Sequence, residues 1–259
     1  MPANVKLVTW NVNSIRQRLE RLLALLERHA PDVVCLQETK VVDADFPEAA
    51  LRAAGYASAF AGQKSYNGVA ILSKAEPGEV ACGFRDGGDD LQSRLLAATI
   101  SNVRVICAYV PNGQAVGSDK FVYKLEWLER LRSLLEREAD PARPLALVGD
   151  FNVAPTDADV HDPEAWRGQV LCSEPERAAL QRLLDWGLVD AFRARYPERV
   201  AFTWWDYREL GFPKNRGLRI DHVLLTPPLY EKLEDVVIDR EERKGKGASD
   251  HAPVLALLR

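Results

Sequence analysis

Residues 145–159 read L-A-L-V-G-D-F-N-V-A-P-T-D-A-D and combine an apolar run with polar residues where that run ends. The four apolar residues 145–148 are typical of a short strand that is covered on both faces. Asp150 and Asn152 follow after Gly149, and residues two apart in an extended backbone point to the same side. Asp157 and Asp159 repeat this spacing in the loop beyond. The stretch predicts a buried strand that delivers a carboxylate and an amide to one spot, and an ordinary Asp/Asn turn is the alternative.

The composition indicates one large α/β domain that spans residues 1–259. The chain is 47% hydrophobic and 28% charged, which is sufficient for a sizeable core with an ordinary surface. Its formal net charge of −4 excludes a global basic field. Binding to a polyanion would therefore depend on local basic patches or on a metal ion.

The distribution of cysteines and apolar runs predicts a soluble, cytoplasmic protein. The four cysteines are scattered without a C-x-x-C pair, which suits reduced thiols. A strand pattern begins by residue 5, so no signal peptide is expected, and no apolar run approaches the ~18 residues of a membrane span.

Hydrophobic periodicity predicts a succession of short strands interrupted by a few helices. Two helices are expected to begin with capping boxes, formed by Ser14 with Gln17 and by Ser173 with Glu176. The stretch D-G-G-D-D at residues 86–90 is expected to be a solvated loop. The predicted strands cover residues 5–10, 32–37, 56–60, 68–72, 95–100, 103–109, 145–148, 218–225, 235–238 and 253–258, and the helices 14–29, 45–54, 118–138 and 173–186. This order suggests two mostly antiparallel sheets packed together, with helices outside.

A weak internal symmetry accompanies this pattern. Residues 8–12 read V-T-W-N-V and residues 148–153 read V-G-D-F-N-V, and both are strand ends that carry amide or acid groups.

Polar residues recur wherever an apolar strand ends, which predicts a shared functional rim on a rigid scaffold. Their chemistry is uniform, because carboxylate and amide oxygens dominate and a single histidine is present. Such oxygen-rich sites suit Mg²⁺, Mn²⁺ or Ca²⁺ and argue against structural zinc, and Glu38 suffices as the principal ligand. The set is Asn11, Glu38, Tyr109, Asn112, Asp150, Asn152, Asp221, Asp250 and His251.

Phosphodiester hydrolysis is a reaction that this set can perform. Asp150, held by Asn152, could orient and deprotonate a water molecule. His251 could donate to a phosphate oxygen, with Asp221 fixing its tautomer and charge. The alternatives are a turn histidine beside an aspartate, and a strand-end Asp221 paired with Arg219.

The motifs T-W-N-V-N-S-I-R, L-Q-E-T-K, Y-V-P-N-G, G-D-F-N-V-A-P-T-D, F-T-W-W-D-Y, N-R-G-L-R-I-D-H and S-D-H-A-P resemble the exonuclease III family in order and spacing. The resemblance runs from residue 6 to residue 259. It implies a four-layered α/β sandwich and dependence on Mg²⁺, with Mn²⁺ as an alternative. It also implies a monomer that acts on double-stranded DNA with abasic sites or blocked 3′ ends. The implied activities are incision 5′ to abasic sites, 3′–5′ exonuclease and 3′-phosphatase.

The resemblance also assigns roles to individual residues. It implies that Glu38, Asn11 and Asp250 hold the metal and that Trp204 lines a pocket for an extruded abasic sugar. The implied catalytic residues are Tyr109, Asp150, Asn152, Asp221 and His251, and the implied substrate-binding residues are Lys40, Asn112, Trp204, Arg216 and Leu218. The chain departs from the family at Ser14, where glycine is common, and at Trp205, where phenylalanine is common.

Two other functions share part of this pattern. A phosphatase of a small soluble phosphate ester would need Glu38, Asp150 and His251 but not the W-x-D-Y-R and N-R-G-L-R-I-D segments. A catalytically inactive relative that only binds nucleic acid would be expected to have lost the acids and the histidine, which this chain keeps.

Overall fold

The computed structural model describes residues 5–88 and 91–259, which form two six-stranded sheets with helices on their outer faces. Asp89 and Asp90, the end of the predicted 86–90 loop, lie outside the described residues. The strands are β1 (Val5–Asn11), β2 (Val33–Gln37), β3 (Ala57–Ala61), β4 (Val69–Ser73), β5 (Gly78–Cys82), β6 (Leu95–Ile100), β7 (Val103–Tyr109), β8 (Leu145–Asp150), β9 (Val189–Asp190), β10 (Asp221–Leu225), β11 (Leu233–Ile238) and β12 (Val254–Leu258). The helices are α1 (Ile15–His29), α2 (Glu48–Ala53), α3 (Asp119–Glu138), α4 (Pro163–Trp166), α5 (Glu174–Asp185), α6 (Ala191–Arg195) and α7 (Pro227–Tyr230). Across these two described ranges, no helix is both long and apolar enough to cross a membrane.

Both sheets are mixed and share one pairing pattern. The first has the order β11-β12-β1-β2-β4-β3 and the second the order β5-β6-β7-β8-β10-β9. Each sheet pairs its described strands antiparallel except at its centre, where β1 lies parallel to β2 and β7 parallel to β8. Parallel neighbours need a long crossover, and α1 and α3 provide it.

The weak symmetry of the sequence corresponds to equivalent places in the two sheets. Starting from β3 and from β5, the successive pairings are antiparallel, antiparallel, parallel, antiparallel and antiparallel in both sheets. This pattern reads the same from either edge, so the central parallel pair β1 and β2 of the first sheet corresponds to the pair β7 and β8 of the second. Asn11 and Asp150 each end one strand of such a central pair.

Three apolar layers hold the two sheets and their helices together. The inner faces of the sheets pack against each other through side chains such as Val33, Ile71, Val105 and Val148. Leucines of α1 cover the outer face of the first sheet, and leucines of α3 and α5 cover that of the second. The predicted four-layered α/β sandwich is confirmed.

Gly149 is required by the close approach of β8 to β7. In this register Gly149 lies opposite Ala108, and its φ is +151°. A Cβ atom at Gly149 would lie 1.8 Å from the carbonyl oxygen of Ala108. The residue that precedes Asp150 must therefore be glycine for the parallel pair to form.

Several predicted element bounds were wrong. The predicted strand 218–225 begins at Asp221, because Leu218 forms isolated bridges with Val160 and Trp204 instead. The predicted helix 45–54 divides into a 3₁₀ turn and α2, with Pro47 between them. Strand β5 was missed because it is mostly exposed and carries no apolar alternation, and β9 is only two residues long.

The predicted capping box at Ser14 was also wrong, whereas the one formed by Ser173 and Glu176 is confirmed. Ser14 adopts φ +94° and its hydroxyl caps no backbone N–H. Instead, the first amides of α1 are bound by the chain that follows β2: the N–H of Ser14 donates to the Glu38 carbonyl at 2.8 Å, and that of Ile15 to the Thr39 carbonyl at 3.0 Å. Ser14 occupies a conformation that favours glycine.

We predict that Ser14→Gly stabilises the protein, by about 1 kcal/mol, because it relieves a left-handed backbone and removes no capping bond. Urea unfolding would measure the change. The same substitution at Ser118 is the control, because Ser118 has φ −78° and its hydroxyl accepts the Phe121 N–H. Ser118→Gly should destabilise by a few tenths of a kcal/mol. Equal losses at both positions would contradict the prediction.

Candidate active site

The candidate site lies where the central strand ends of the two sheets meet. Asn11 ends β1 and Glu38 follows β2, while Asp150 ends β8. The amide nitrogen of Asn11 donates to Oε1 of Glu38 at 2.8 Å and to Oδ2 of Asp150 at 2.9 Å. Its oxygen accepts the backbone N–H of Asn13 at 3.0 Å, which fixes the orientation of the amide. Asn11 therefore joins a carboxylate of one sheet to a carboxylate of the other.

Glu38, Asp150 and His251 form a group that could hold a metal ion. One ligand atom from each lies within 4.8 Å of the others. Burial is the main cause that raises the pKa of Asp150 to about 7, and the charges of Asp221 and Glu38 raise it further. The two carboxylates of this group thus combine oxygen ligands with excess buried negative charge. Both properties fit a hard divalent cation.

The other two predicted metal ligands have different contacts in the structure. Asn11 directs its nitrogen, not its oxygen, at the carboxylates. The Asp250 carboxylate accepts from Nδ2 of Asn13 at 2.9 Å and from Nε1 of Trp204 at 3.1 Å. Burial would raise the pKa of Asp250, but the charge of His251 and these donors lower it. Metal binding by Asn11 and Asp250 stays a prediction.

His251 and Asp221 form a buried charged pair. Nδ1 of His251 lies 2.9 Å from Oδ2 of Asp221, and its Nε2 lies 3.8 Å from Oδ2 of Asp150. Burial would lower the pKa of His251, but the carboxylates of Asp221 and Asp150 outweigh it and raise that pKa to about 10. The imidazole is therefore a cation at neutral pH. Its Nε2 faces Asp150, the position from which it could donate to a bound phosphate.

The alternative pairing of Asp221 with Arg219 is wrong. The buried Arg219 guanidinium binds Asp159 at 2.7 Å and Asp190 at 2.8 Å. Asp159 has its pKa lowered to about 2, because the Arg219 charge outweighs the effect of burial. Asp159, which repeats the spacing of the Asp150 motif, is thus part of a structural ion pair.

Asn152 reaches Asp150 by a turn rather than by strand alternation. Strand β8 ends at Asp150, and Asn152 adopts φ +51°. Its backbone N–H donates to Oδ1 of Asp150 at 2.9 Å, and its Nδ2 lies 3.3 Å from Oδ2. The predicted contact exists, but an Asx-type turn produces it. Asn112 extends the chain of contacts, because its Nδ2 donates to Oδ1 of Asn152 at 3.2 Å.

Tyr109 lies on the Glu38 side of the site. Burial and the charge of Glu38 raise the pKa of its phenol well above the ordinary value, so it stays protonated. The Arg94 guanidinium lies 4.5 Å from the ring centroid. A neutral phenol in this position is a hydrogen-bond donor.

Of the five predicted substrate-binding residues, Lys40, Asn112 and Trp204 contact polar residues of the site, whereas Leu218 and Arg216 do not. Lys40 and Trp204 join the site, since Nζ of Lys40 lies 2.7 Å from Oε2 of Glu38 and the partly buried Trp204 binds Asp250. Leu218 is fully buried beneath Trp204 in an apolar cluster. Arg216 is half exposed and lies near Glu209, at 3.7 Å, rather than in the cluster of acids. Trp205 is fully buried and packs edge-on against Phe212.

Sequence reasoning missed two residues whose side chains contact residues of the site, Asn13 and Lys124. Asn13 binds both Asp250 and Lys40, and its spacing of two from Asn11 was a usable signal. Lys124 lies fully buried in α3. Its signal was a lysine on the apolar face, three residues after Phe121 and four before Leu128.

Residues 8–251 match the Endonuclease/Exonuclease/phosphatase family over nearly the whole chain. The chain belongs to this family. It is 38% identical to exodeoxyribonuclease III of Haemophilus influenzae, over 97% of this chain and 99% of that protein. It is 35% identical to an exodeoxyribonuclease of Bacillus subtilis, over 98% of this chain and 99% of that protein.

Solved structures of Endonuclease/Exonuclease/phosphatase proteins share the fold closely. The 3′ phosphatase NExo from Neisseria, bound to a product DNA hairpin, has a TM-score of 0.96 and 45% identity over 98% of this chain and 99% of that one. An AP endonuclease from Archaeoglobus fulgidus has a TM-score of 0.95 and 40% identity, over 98% of this chain and 99% of that one. The resemblance inferred from the motifs is confirmed.

We predict that His251 in the metal-free protein titrates near pH 10 by NMR, because Asp221 stabilises the imidazolium. Asp221→Asn should lower this pKa strongly, and Asp250→Asn, which removes a smaller contribution, should lower it less. Because the folded pKa lies above the ordinary value of 6.5, this stabilisation is complete below about pH 6.5 and is lost as the pH rises through about 10. Titration of the wild-type imidazole near 6.5 would contradict the assignment.

Proposed function

We propose that this protein is a metal-dependent DNA-repair phosphodiesterase that incises duplex DNA 5′ to abasic sites and processes 3′ ends. The observation that carries the proposal is the meeting of Glu38, Asp150 and His251, with Asp221 behind the histidine. Relatives named as exodeoxyribonuclease III, 3′ phosphatase and AP endonuclease support DNA as the substrate.

Asp150 is the proposed general base. Asn152 and Asn11 bind both of its oxygens and fix its orientation. A raised pKa of about 7 suits a carboxylate that must accept a proton from water near neutral pH. The water oxygen attacks phosphorus and its proton passes to Asp150, while the bond from phosphorus to the 3′ oxygen breaks and that oxygen takes a proton from solvent. The products are a 3′-hydroxyl and a 5′-phosphate.

His251 and Tyr109 are the proposed donors to the phosphate. The His251 imidazolium is held by Asp221, so it presents Nε2–H without reorganising during the reaction. Tyr109 offers a protonated phenol from the Glu38 side. Together they would stabilise negative charge that develops on the phosphate oxygens.

Mg²⁺ is the proposed metal, with Mn²⁺ as an alternative, and Glu38 is its principal ligand. When bound, the ion would offset phosphate charge and polarise the scissile group. Lys40 now neutralises Glu38 at 2.7 Å and would be free to contact the DNA backbone when a cation takes over that role.

We also propose that the protein acts as a cytoplasmic monomer. All four cysteines are free, which suits a reducing compartment. An inactive nucleic-acid-binding relative is disfavoured because the acids and the histidine are all present, with Glu38 and Asp150 both bound by Asn11 and His251 paired with Asp221. A phosphatase of small esters is disfavoured by the extensive similarity to DNA-processing relatives.

We predict that the purified protein incises a duplex containing one abasic analogue in Mg²⁺ and is inactive in excess EDTA. Gel analysis should show a 3′-hydroxyl on the 5′ fragment.

Asp150→Asn and His251→Ala should each lower kcat by ~10² or more, and Glu38→Ala should raise the Mg²⁺ concentration needed for half activity. Undiminished incision in EDTA would exclude the metal role, and activity on inositol phosphates alone would favour the small-ester phosphatase.

We predict that Trp204→Ala affects two DNA substrates unequally. Trp204 is partly exposed beside Asp250, whereas Leu218 is buried and offers no surface to a sugar. If Trp204 contacts an extruded abasic sugar, incision at an internal abasic site should fall at least tenfold more than removal of a 3′-phosphate, where no nucleotide is extruded. The melting temperature should change little. The buried Trp205 is the control, since Trp205→Ala should cost ~3–5 kcal/mol of stability. Equal losses on both substrates with a collapsed melting temperature would assign Trp204 to the core.

A further inference from the structure

Lys124 is a fully buried lysine on α3, beneath the candidate active site. Its ammonium has three protons, and each has an acceptor. Nζ donates to the carbonyl oxygen of Asn152 at 2.6 Å, to that of Asn112 at 3.1 Å, and to the carboxylate of Glu176. All three N–H donors of the ammonium are therefore hydrogen-bonded, so the charged group is fully satisfied in its buried position.

The two carbonyls belong to the loops that leave the parallel central strands of the second sheet. Asn112 follows β7 and Asn152 follows β8. The same two residues are joined by their side chains, from Nδ2 of Asn112 to Oδ1 of Asn152. Lys124 therefore ties the backbones of two loops whose side chains meet at the site.

The contact with Asn152 matters because of the conformation of that residue. Asn152 adopts φ +51°, and in this turn its N–H and its amide both bind Asp150. A left-handed asparagine is only modestly favoured by its own backbone. An ammonium bound at 2.6 Å to its carbonyl holds the turn in place from below.

We propose that Lys124 is a positioning residue for catalysis, which fixes the Asn112 and Asn152 loops and thereby aims the carboxylate of Asp150. Lys124 contacts no substrate and acts only through these two asparagines. This inference rests on the proposed phosphodiesterase activity.

Glu176 has a separate role in the same network. Its carboxylate accepts the N–H groups of Leu171 and Ser173 at the start of α5 and neutralises Lys124. An apolar side chain in place of Lys124 would leave two loop carbonyls without that donor and a buried carboxylate without its cation. Loss of the donor to the loop carbonyls should change the geometry of the site, whereas the unpaired Glu176 carboxylate should lower stability. The two effects can therefore be separated.

The test compares three variants on abasic duplex DNA in Mg²⁺, with urea unfolding measured in parallel. Lys124→Met should lower both stability and kcat. Lys124→Met with Glu176→Gln removes the unpaired charge and should recover much of the stability while kcat stays ~10–100-fold low, since small displacements of a catalytic group have effects of this size. KM should stay within about threefold of wild type. Glu176→Gln alone keeps both loop contacts and should keep kcat near the wild-type value.

A structural role alone predicts a different pattern, in which kcat follows stability across all three variants. Recovery of kcat together with stability in the double variant would overturn the proposal. So would a loss of kcat in Glu176→Gln that equals the loss in the double variant. Should Lys124→Met fail to fold, the double variant and Glu176→Gln still give this comparison.

Two controls locate the effect at the site. Arg130→Met, on the same helix, removes an ion pair with Asp86 at 2.8 Å and should leave kcat unchanged.

In an Asn152→Ala background, loss of Lys124 should lower kcat far less than in the wild type, because both changes act through one turn. Additive losses would overturn the proposal. An inactive but folded wild-type protein would instead refute the phosphodiesterase assignment itself, which separates the two failures.

Discussion

The structure depends on the burial of several carboxylates at one place. Asp150 is 1% exposed, and its charge neighbours those of Glu38 and Asp221. Buried charges are costly unless they are paired and hydrogen-bonded. Here the imidazolium of His251 pairs with Asp221, and the amide of Asn11 donates a hydrogen bond to Asp150. Lys40 neutralises Glu38 on the exposed side of the site. The remaining excess of negative charge is what makes the place suitable for a divalent cation.

The two sheets supply this arrangement through one repeated feature, the parallel strand pair at the centre of each. Because β1 and β2 run together, as do β7 and β8, their carboxyl ends deliver Asn11, Glu38, Tyr109 and Asp150 to one rim. The antiparallel neighbours β10 and β12 begin at the same rim and bring Asp221 and His251. Sheet packing and site assembly are therefore consequences of the same topology.

Much of the site could be predicted from the sequence because each polar residue interrupts an apolar strand. Glu38 and Asp150 stand at the end of a hydrophobic run and Asp221 stands at the start of one, which marks them locally. Their partners were harder to predict, since a charge can pair with any opposite charge that the fold brings near. Arg219 was a plausible partner for Asp221, two residues away, yet it binds Asp159 and Asp190. The Ser14 capping box failed for a related reason, because carbonyls from the chain after β2 took the place of a local cap.

The sequence by itself determined most of the strand pattern, the layered α/β class, the family and the oxygen-rich chemistry of the rim. These follow from local periodicity and from motifs whose residues are close along the chain. Only the tertiary structure decided that Asn11 bridges Glu38 and Asp150, that Leu218 is buried, and that Lys124 connects two loops. Each of these depends on atoms brought together across sheets or helices. Hydrogen bonds and burial are set by distances in space, which residue order alone does not contain.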